Sequence, residues 1–439
     1  MKLVKKECFV NIKSLIKSKY VKNAIMLMGD SVIRLAVSFI LSIFIARIFG
    51  PEKFGRINYV FAFVSMLQVF VIFGFDEIAL KDMGLETYPE NSIIKTVIDL
   101  RWCLAIIAYM LGSVVFYFFI DKSLIFYYLI LGLELFCFIF YIYKQWFQIK
   151  SLNKYVVLAS QVSFFVILVL KILYLLFFTN LYIYAFLLVF SVFIEVVVLT
   201  ISFYTHKPNG NGVFDFNYAK NLIKQSFPLM LQSFATIIYM KIDQVMIGKM
   251  MTTSDVGIYS IAVTISELVY FIPMAIANAF YPKISDAKKN AQDYKSVIER
   301  IGQINVFICF VFSVFCTVFM PFLVNFVYGQ SYAEAGNIIQ IHCWASIFVA
   351  IGCSNSVFLI FEGKQKLSFY ATLMGAIINV FLNFVLIQIS GGKGAAVATL
   401  LSQAFASLFF YLFINDKQFF ILRAKSFLFY KLVQNRERE

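Results

Sequence analysis

Residues 155–204 read YVVLASQVSFFVILVLKILYLLFFTNLYIYAFLLVFSVFIEVVVLTISFY. This stretch contains two apolar runs, 155–178 and 181–204, and only Thr179 and Asn180 separate them. A helix of about 20 apolar residues crosses the hydrocarbon core of a bilayer, and each run exceeds that length. The stretch therefore predicts two membrane-spanning helices joined by a tight turn.

The composition of the whole chain is that of a membrane protein. Of the 439 residues, 61% are hydrophobic and 14% are charged, whereas about 25% of the residues in soluble domains are charged. A soluble fold could not bury 53 Phe and 25 Tyr without exposing large apolar patches. Soluble multidomain enzymes are therefore excluded.

The cysteines and histidines form no metal or disulfide motif. The seven cysteines include no CxxC pair, so we interpret those in apolar runs as small core residues. His206 and His342 lie far apart in sequence, which argues against a histidine-based metal or acid–base centre. With no Ser/His/Asp set either, the sequence predicts no enzyme and no cofactor.

The apolar runs divide the chain into twelve predicted spans, numbered here in chain order. Turn residues such as Gly50-Pro51 and Gly391-Gly392 mark the breaks between them. The spans are 24–48, 56–75, 94–119, 124–143, 155–178, 181–204, 221–250, 256–281, 299–327, 337–361, 367–389 and 395–415. We therefore predict an all-α polytopic membrane protein.

Lysine and arginine are distributed unevenly between the two ends of the spans. With a cytoplasmic N-terminus, 28 of them lie on the inner side and six on the outer side, in agreement with the positive-inside rule. We therefore expect both termini in the cytoplasm. Because topology accounts for the net charge of +14, we predict no nucleic-acid partner.

The inner break at 205–220 divides the spans into two sets of six. We expect a basic N-terminus (1–23), an N-lobe (24–204), an inter-lobe loop (205–220), a C-lobe (221–415) and a basic tail (416–439). A shift of 202 residues aligns Arg47 and Gly55 with Lys249 and Gly257. This match and the equal span count predict parallel repeats that face each other across a central cavity.

Ionisable residues inside the spans are candidates for function, because each costs at least about 2.5–3.5 kcal/mol at the bilayer centre. Helical spacing places several of them on polar stripes. The stripes contain Asp30 and Arg34 on span 1, Gln232, Thr236 and Asp243 on span 7, and Ser260, Thr264 and Glu267 on span 8. Such stripes either line a cavity or hold packed helices together; their positions at the start of each lobe favour a shared cavity.

Other ionisable residues in the spans allow more than one interpretation. Lys241 lies opposite the polar stripe of span 7, so it is either a cavity cation or a residue packed within its lobe. Lys171 lies too far from Glu195 along the membrane normal to pair with it, and we interpret it as a cavity cation. Arg101 and Glu134 lie at similar depths on adjacent spans, which predicts an ion pair.

Short stretches spread from the first span to the last resemble the O-antigen flippase (Wzx) family of polysaccharide flippases in the MOP superfamily. These stretches are ARIFGPEKFG at 46–55, VGIYSIA at 256–262 with Glu267, YPKIS at 281–285, YGQSYAEA at 328–335 and GAAVAT at 394–399. They are similar to the first outer turn, span 8 and its exit, the turn between spans 9 and 10, and span 12 of that family.

The resemblance implies two six-helix lobes around a cationic central cavity that works by alternating access. Its cargo is a polyprenyl-diphosphate-linked oligosaccharide, moved from the cytoplasmic to the outer leaflet. We therefore expect a flippase of the bacterial plasma membrane that carries an undecaprenyl-linked unit for O-antigen lipopolysaccharide or capsule. The implied partners are this glycan, membrane lipids, and the polysaccharide polymerase and chain-length machinery.

On this basis we assign expected roles to the polar residues of the spans. Arg34 is the first expected diphosphate contact, with Lys171 and Lys241 next. Asp30, Asp243 and Glu267 would orient these cations or bind a coupling H⁺ or Na⁺, and Gln232, Thr236, Ser260 and Thr264 would complete the polar lining. Pro228, Pro273 and Pro321 are the expected bending points.

Two other functions stay open at this stage. A cation-coupled multidrug exporter of the same superfamily would use Asp243 and Glu267 to attract cationic drugs. A membrane glycan polymerase or ligase would match the composition but would need a large outer loop, and no predicted outer break exceeds about ten residues.

Overall fold

The structure is a computed structural model that describes residues 19–178, 180–206, 212–289 and 294–413. The chain divides after Ile48 into two compact units. Within the described residues all regular elements are helical. The first unit contributes span 1, and the second unit, from Phe49 onward, contains the other spans.

The helices follow the predicted order of spans. In the first half they are Lys19–Ile72, Phe75–Gly84, Glu90–Val115, Ile125–Leu131, Glu134–Cys137, Ile142–Ile149, Asn153–Phe177 and Leu181–His206. In the second half they are Phe216–Met250, Thr253–Glu267, Phe271–Lys289, Tyr294–Tyr328, Ala333–His342, Ala345–Phe361 and Gln365–Ser407. Short 3₁₀ or π segments extend spans 3, 4, 10 and 12.

Eight of the described helices are long and apolar enough to cross a membrane. A ninth is added when the bent pair Gln330–His342 and Ala345–Phe361 is counted as one span. Two of these contain two spans each, because Lys19–Ile72 turns at Gly50 and Gln365–Ser407 turns at Ser390 and Gly391. Span 7, Phe216–Met250, is 35 residues long and is polar enough to miss the hydropathy criterion. The chain is thus a multi-pass membrane protein with twelve helical spans.

Within the second unit, successive spans run in opposite directions, so the turns alternate between its two sides. We call the side with the turns at Gly50 and Gly391 the Gly50 face, and the side with Gly212 the Gly212 face. The connections after spans 1, 3, 5, 7, 9 and 11 lie on the Gly50 face, and those after the even-numbered spans lie on the Gly212 face.

Span 2 is broken near its end on the Gly212 face, and a buried arginine stabilises the break. Phe73 and Gly74 both have positive φ, 53° and 70°. The fully buried guanidinium of Arg101 donates to the carbonyl oxygen of Ile72 at 3.4 Å and pairs with Asp76 at 2.9 Å. It therefore compensates a carbonyl that the helix break leaves without its usual partner.

The predicted ion pair between Arg101 and Glu134 is wrong. Arg101 pairs with Asp76, because the break at residues 73–74 brings the next helix against span 3, and it also donates to the carbonyl oxygen of Phe138 at 3.3 Å. Glu195 pairs with Lys144 at 2.8 Å, in agreement with the expectation that it does not pair with Lys171.

The proline predictions have mixed outcomes. Span 8 is interrupted between Glu267 and Phe271, two residues before Pro273. Pro228 and Pro321 lie inside continuous helices, so neither interrupts its span, and bending at these two prolines stays a prediction.

The two halves of the second unit contact each other closely at the Gly50 face. A Cβ atom at Gly55 on span 2 would lie 1.7 Å from the carbonyl oxygen of Thr253, and one at Gly257 on span 8 would lie 2.1 Å from that of Pro51. Only glycine allows this backbone approach. We call this contact the glycine seam.

A second contact joins the halves toward the Gly212 face. Gly74 packs against span 7, where an added Cβ would lie 2.8 Å from the Cβ of Leu229. The start of span 7 also enters the core of the first half, since Tyr218 and Leu222 pack with Phe75. The two halves of the second unit are therefore held together at two levels, by spans 2 and 8 at the glycine seam and by span 7 at the Gly74 contact.

Candidate functional site

A polar pocket lies between spans 2 and 7 and adjoins the Gly74 contact, since Leu229 takes part in both. Its volume is about 390 Å³, which falls in the range of about 300–1,000 Å³ of small-ligand sites. Its lining consists of the polar residues Ser65, Gln68, Glu77, Gln232, Ser233 and Thr236 and the apolar residues Val69, Ile72, Leu229 and Ile237.

Most of the polar side chains of this pocket make no contact with other protein polar groups. Thr236 donates to the carbonyl oxygen of Gln232 at 3.0 Å and Ser65 to that of Phe61 at 2.8 Å. Among the described residues, the side chains of Gln68, Glu77, Gln232 and Ser233 have no hydrogen-bond or ion-pair partner. These side chains are free to bind a ligand.

The sequence analysis identified part of this lining. Gln232 and Thr236 were predicted as cavity residues, and both line the pocket. Gln68 and Glu77 were missed, although Ser65, Gln68 and Ile72 follow the three-to-four residue spacing of one helix face. That spacing was the available signal.

The polar residues predicted on span 8 lie elsewhere. Ser260 is buried within the second half, and its hydroxyl has no hydrogen-bond partner among the described residues. Thr264 is exposed and does not line the pocket. The polar stripe of span 8 is thus divided between the interior of its own half and its surface.

Neither Lys171 nor Lys241 is among the residues that line this pocket, and their role as cavity cations stays a prediction. Lys171 lies 5.8 Å from the centre of the Tyr184 ring in the first half. Lys241 lies within the second half. Arg34 is half-buried in the first unit, and the side chain of Asp30 lies outside the described residues.

A second polar site surrounds Asp243 inside the second half. The Asp243 carboxylate, on span 7, is buried and accepts hydrogen bonds at one oxygen from Tyr259 of span 8 at 2.5 Å and from Thr399 of span 12 at 3.1 Å. Its other oxygen has no hydrogen-bond partner among the described residues. Three spans therefore meet at one carboxylate.

Span 11 extends this site with two buried asparagines. Asn379 donates to Thr399 and Ser402 at 3.5 and 3.3 Å, and Asn383 donates to the side-chain oxygen of Asn379 at 3.0 Å. The side-chain oxygen of Asn383 has no partner in the described structure. Carboxylate, amide and hydroxyl oxygens are the ligands that hard cations prefer.

Lys241, Glu267 and His342 lie near this site. Lys241 interacts electrostatically with both Asp243 and Glu267. This supports the alternative in which Lys241 packs within its own lobe. His342 is buried with its ring edge toward the Tyr259 ring, 6.2 Å between centres.

Comparison with known proteins identifies the family. Residues 44–337 match the model of the polysaccharide biosynthesis protein family. The chain is 27% identical over 195 residues, 43% of its length, to the probable low-salt glycan biosynthesis flippase Agl15 of Haloferax volcanii and covers 40% of that protein. It spans less than half the length of the curated relatives it matches.

Solved structures with the same fold are transporters. An inward-facing multidrug resistance MATE transporter of the MOP superfamily matches with a TM-score of 0.69 at 13% identity, covering 89% of this chain and 96% of that one. The lipid II flippase MurJ in an inward closed conformation matches with a TM-score of 0.67 at 15% identity, covering 94% and 93%.

The family match spans both halves and includes the glycine seam, the span 2–span 7 pocket and Asp243. The fold match extends over nearly the whole described chain. This chain therefore belongs to the polysaccharide biosynthesis protein family and has the fold of the MOP superfamily.

Proposed function

We propose that the protein is a flippase that moves a polyprenyl-diphosphate-linked oligosaccharide between the leaflets of a membrane. The observation that carries this proposal is the pocket of unpaired polar side chains between spans 2 and 7, in a family of polysaccharide biosynthesis proteins. A glycan headgroup loses its hydration in hydrocarbon at a cost of several kcal/mol. The pocket offers replacement hydrogen bonds while the prenyl tail stays in lipid.

The proposed lipid carrier, membrane and polysaccharide rest on the resemblance of the sequence to the O-antigen flippases. We propose an undecaprenyl carrier, a bacterial plasma membrane, and a role in O-antigen lipopolysaccharide or capsule synthesis, with the polymerase and chain-length machinery acting on the delivered unit. A strain lacking the gene should lose surface polysaccharide and accumulate the lipid-linked unit in the inner leaflet. Normal polysaccharide in that strain would contradict this assignment.

The proposed orientation places the Gly212 face in the cytoplasm. It is supported by the many lysines on that face, including the exposed Lys95, Lys220 and Lys224. Ser123→Cys on the Gly50 face should react with a membrane-impermeant thiol reagent in intact cells, and Asn217→Cys should react only after lysis. The background should carry Cys8→Ser and Cys103→Ser, because Cys103 is exposed and Cys8 lies in the N-terminal segment that we predict to be cytoplasmic. The reverse pattern would invert the orientation.

Span 1 is the proposed site of diphosphate binding. We propose Arg34 as the principal contact, with Lys171 and Lys241 next, and Asp30 as the acid that orients Arg34. Arg34→Ala should abolish glycan export at normal membrane abundance. Full export by this variant would remove Arg34 from the role.

Asp243 is the proposed coupling site, with H⁺ or Na⁺ as the ion. Its unpaired oxygen, the unpaired oxygen of Asn383 and the nearby Glu267 support this role. Asp243→Asn should remove the dependence of flipping on a Na⁺ or H⁺ gradient while the protein still binds glycan lipid. A variant that keeps the same gradient dependence would exclude Asp243 from coupling.

A second candidate is a cation-coupled multidrug exporter. The buried carboxylate of Asp243 and the fold shared with the MATE transporter favour it. A deletion strain that becomes hypersensitive to cationic drugs but keeps its surface polysaccharide would support the exporter. Loss of polysaccharide with unchanged drug tolerance would support the flippase.

A further inference from the structure

The pocket between spans 2 and 7 contains both hydrogen-bond donors and hydrogen-bond acceptors that have no partner among the described residues. The amides of Gln68 and Gln232 each offer two donors and one acceptor, the Ser233 hydroxyl offers both, and the Glu77 carboxylate offers only acceptors. A ligand that satisfies all of them must itself donate and accept. Sugar hydroxyls do both, whereas a diphosphate ionised at neutral pH has only acceptors.

The charge of the pocket also argues against a diphosphate. Its lining contains one carboxylate, Glu77, and no lysine or arginine. Glu77 would repel a phosphate or a sugar carboxylate, and no lining cation offsets that repulsion. The pocket therefore favours an uncharged headgroup.

The shape of the lining suits a sugar ring. Val69 and Ile72 on span 2 and Leu229 and Ile237 on span 7 supply apolar surface beside the polar groups. A pyranose ring presents C–H faces as well as hydroxyl edges, so it can use both kinds of surface. The pocket volume is about 390 Å³, within the range of sites that bind small ligands.

We propose that this pocket is the subsite for an uncharged sugar of the lipid-linked glycan, bound by Gln68, Gln232 and Ser233, and that Glu77 selects against acidic sugars. This inference rests on the proposed flippase function and narrows its substrate class to units whose pocket-bound sugar is neutral. On this proposal the sugar binds in the pocket between spans 2 and 7, and the diphosphate binds outside that pocket.

The test uses the full chain reconstituted in lipid vesicles and three probes on one shortened polyprenyl diphosphate. The first carries N-acetylglucosamine, the second carries glucuronic acid, and the third carries no sugar. Binding is measured for the wild type, Gln232→Ala, Gln68→Ala and Glu77→Gln. Matched controls are Gln148→Ala and Glu86→Gln, which are exposed and lie outside the pocket.

The wild type should bind the neutral probe at least about fivefold more tightly than the acidic one. Gln232→Ala and Gln68→Ala should each weaken binding of the neutral probe by about two- to tenfold, the factor for one uncharged hydrogen bond, and leave the sugar-free probe unchanged. Glu77→Gln should improve binding of the acidic probe by at least about fivefold. The control variants should match the wild type.

Equal binding of all three probes, with no effect of the pocket variants, would overturn the sugar subsite. Flipping of the same probes is recorded in parallel to keep the two proposals distinct. Flipping without sugar preference leaves the flippase function intact and refutes the subsite alone. No binding and no flipping of any probe would refute the proposed function, and the subsite with it.

Discussion

At the scale of single residues, the buried pair of Arg101 and Asp76 is the sharpest departure from expectation. Asp76 falls just beyond the apolar run of span 2, so the sequence alone assigns it to a loop. The helix break at Phe73 and Gly74, where both residues adopt positive φ, folds Asp76 back against span 3. No proline or hydropathy change announces that break.

This pair should contribute strongly to stability. Arg101→Ala leaves the buried Asp76 carboxylate and the Ile72 and Phe138 carbonyls without their donor, and should cost about 3–5 kcal/mol, as expected when one member of a buried ion pair is removed. A thermal melt of the purified protein in detergent measures this loss of stability. Glu134→Gln is the control, and it should melt like the wild type. A large loss of thermal stability in Glu134→Gln, with none in Arg101→Ala, would contradict the Arg101–Asp76 pair and favour a pair of Arg101 with Glu134.

The Asp243 site shows what residue patterns can and cannot predict. A carboxylate within an apolar span marks Asp243 as a functional candidate from sequence. Its hydrogen-bond partners Tyr259 and Thr399 lie 16 and 156 residues away, and only the packing of spans 7, 8 and 12 brings them together. The candidate was therefore predictable, and its surroundings were not.

At the scale of helices and turns, apolar length alone predicts the spans well, because a bilayer leaves the backbone no alternative to internal hydrogen bonding. The breaks inside spans are less visible. Span 4 divides into short helices around Leu131 and Phe138 without a proline, and tertiary contacts such as the bond from Arg101 to Phe138 stabilise the divided form.

The glycine seam yields the prediction that belongs to this scale. Gly55→Ala and Gly257→Ala should each force spans 2 and 8 apart, because the new methyl group would overlap backbone atoms. Each variant should lower the melting temperature and the flipping rate. Gly352→Ala is the matched control, since its Cβ would meet only the Cβ of Ser407 at 4.0 Å.

Alanine is the better helix former by about 1 kcal/mol, so Gly352→Ala should be neutral or stabilising. If Gly55→Ala and Gly257→Ala also prove neutral in melting and in transport, the close contact at the Gly50 face does not exist in the membrane. The seam would then have no part in closing that face.

At the scale of the whole molecule, the pocket between spans 2 and 7 has one carboxylate and no lysine or arginine in its lining. The count of lysines and arginines predicts topology, but it does not specify which side chains face an interior space. Lys171 lies over the Tyr184 ring and Lys241 lies near the Asp243 and Glu267 carboxylates, and neither lysine lines the pocket. Ser65 and Gln68 on span 2, which hydropathy treats as minor interruptions, are two of its six polar lining residues.

The most direct test places a bulky residue in the pocket. Ser233→Trp should fill it and abolish flipping of a fluorescent polyprenyl-diphosphate-linked sugar in reconstituted vesicles. Leu231→Trp, two residues away on the same helix and outside the lining, should flip at the wild-type rate. A folded Ser233→Trp protein that flips the lipid as fast as Leu231→Trp would contradict a glycan route between spans 2 and 7.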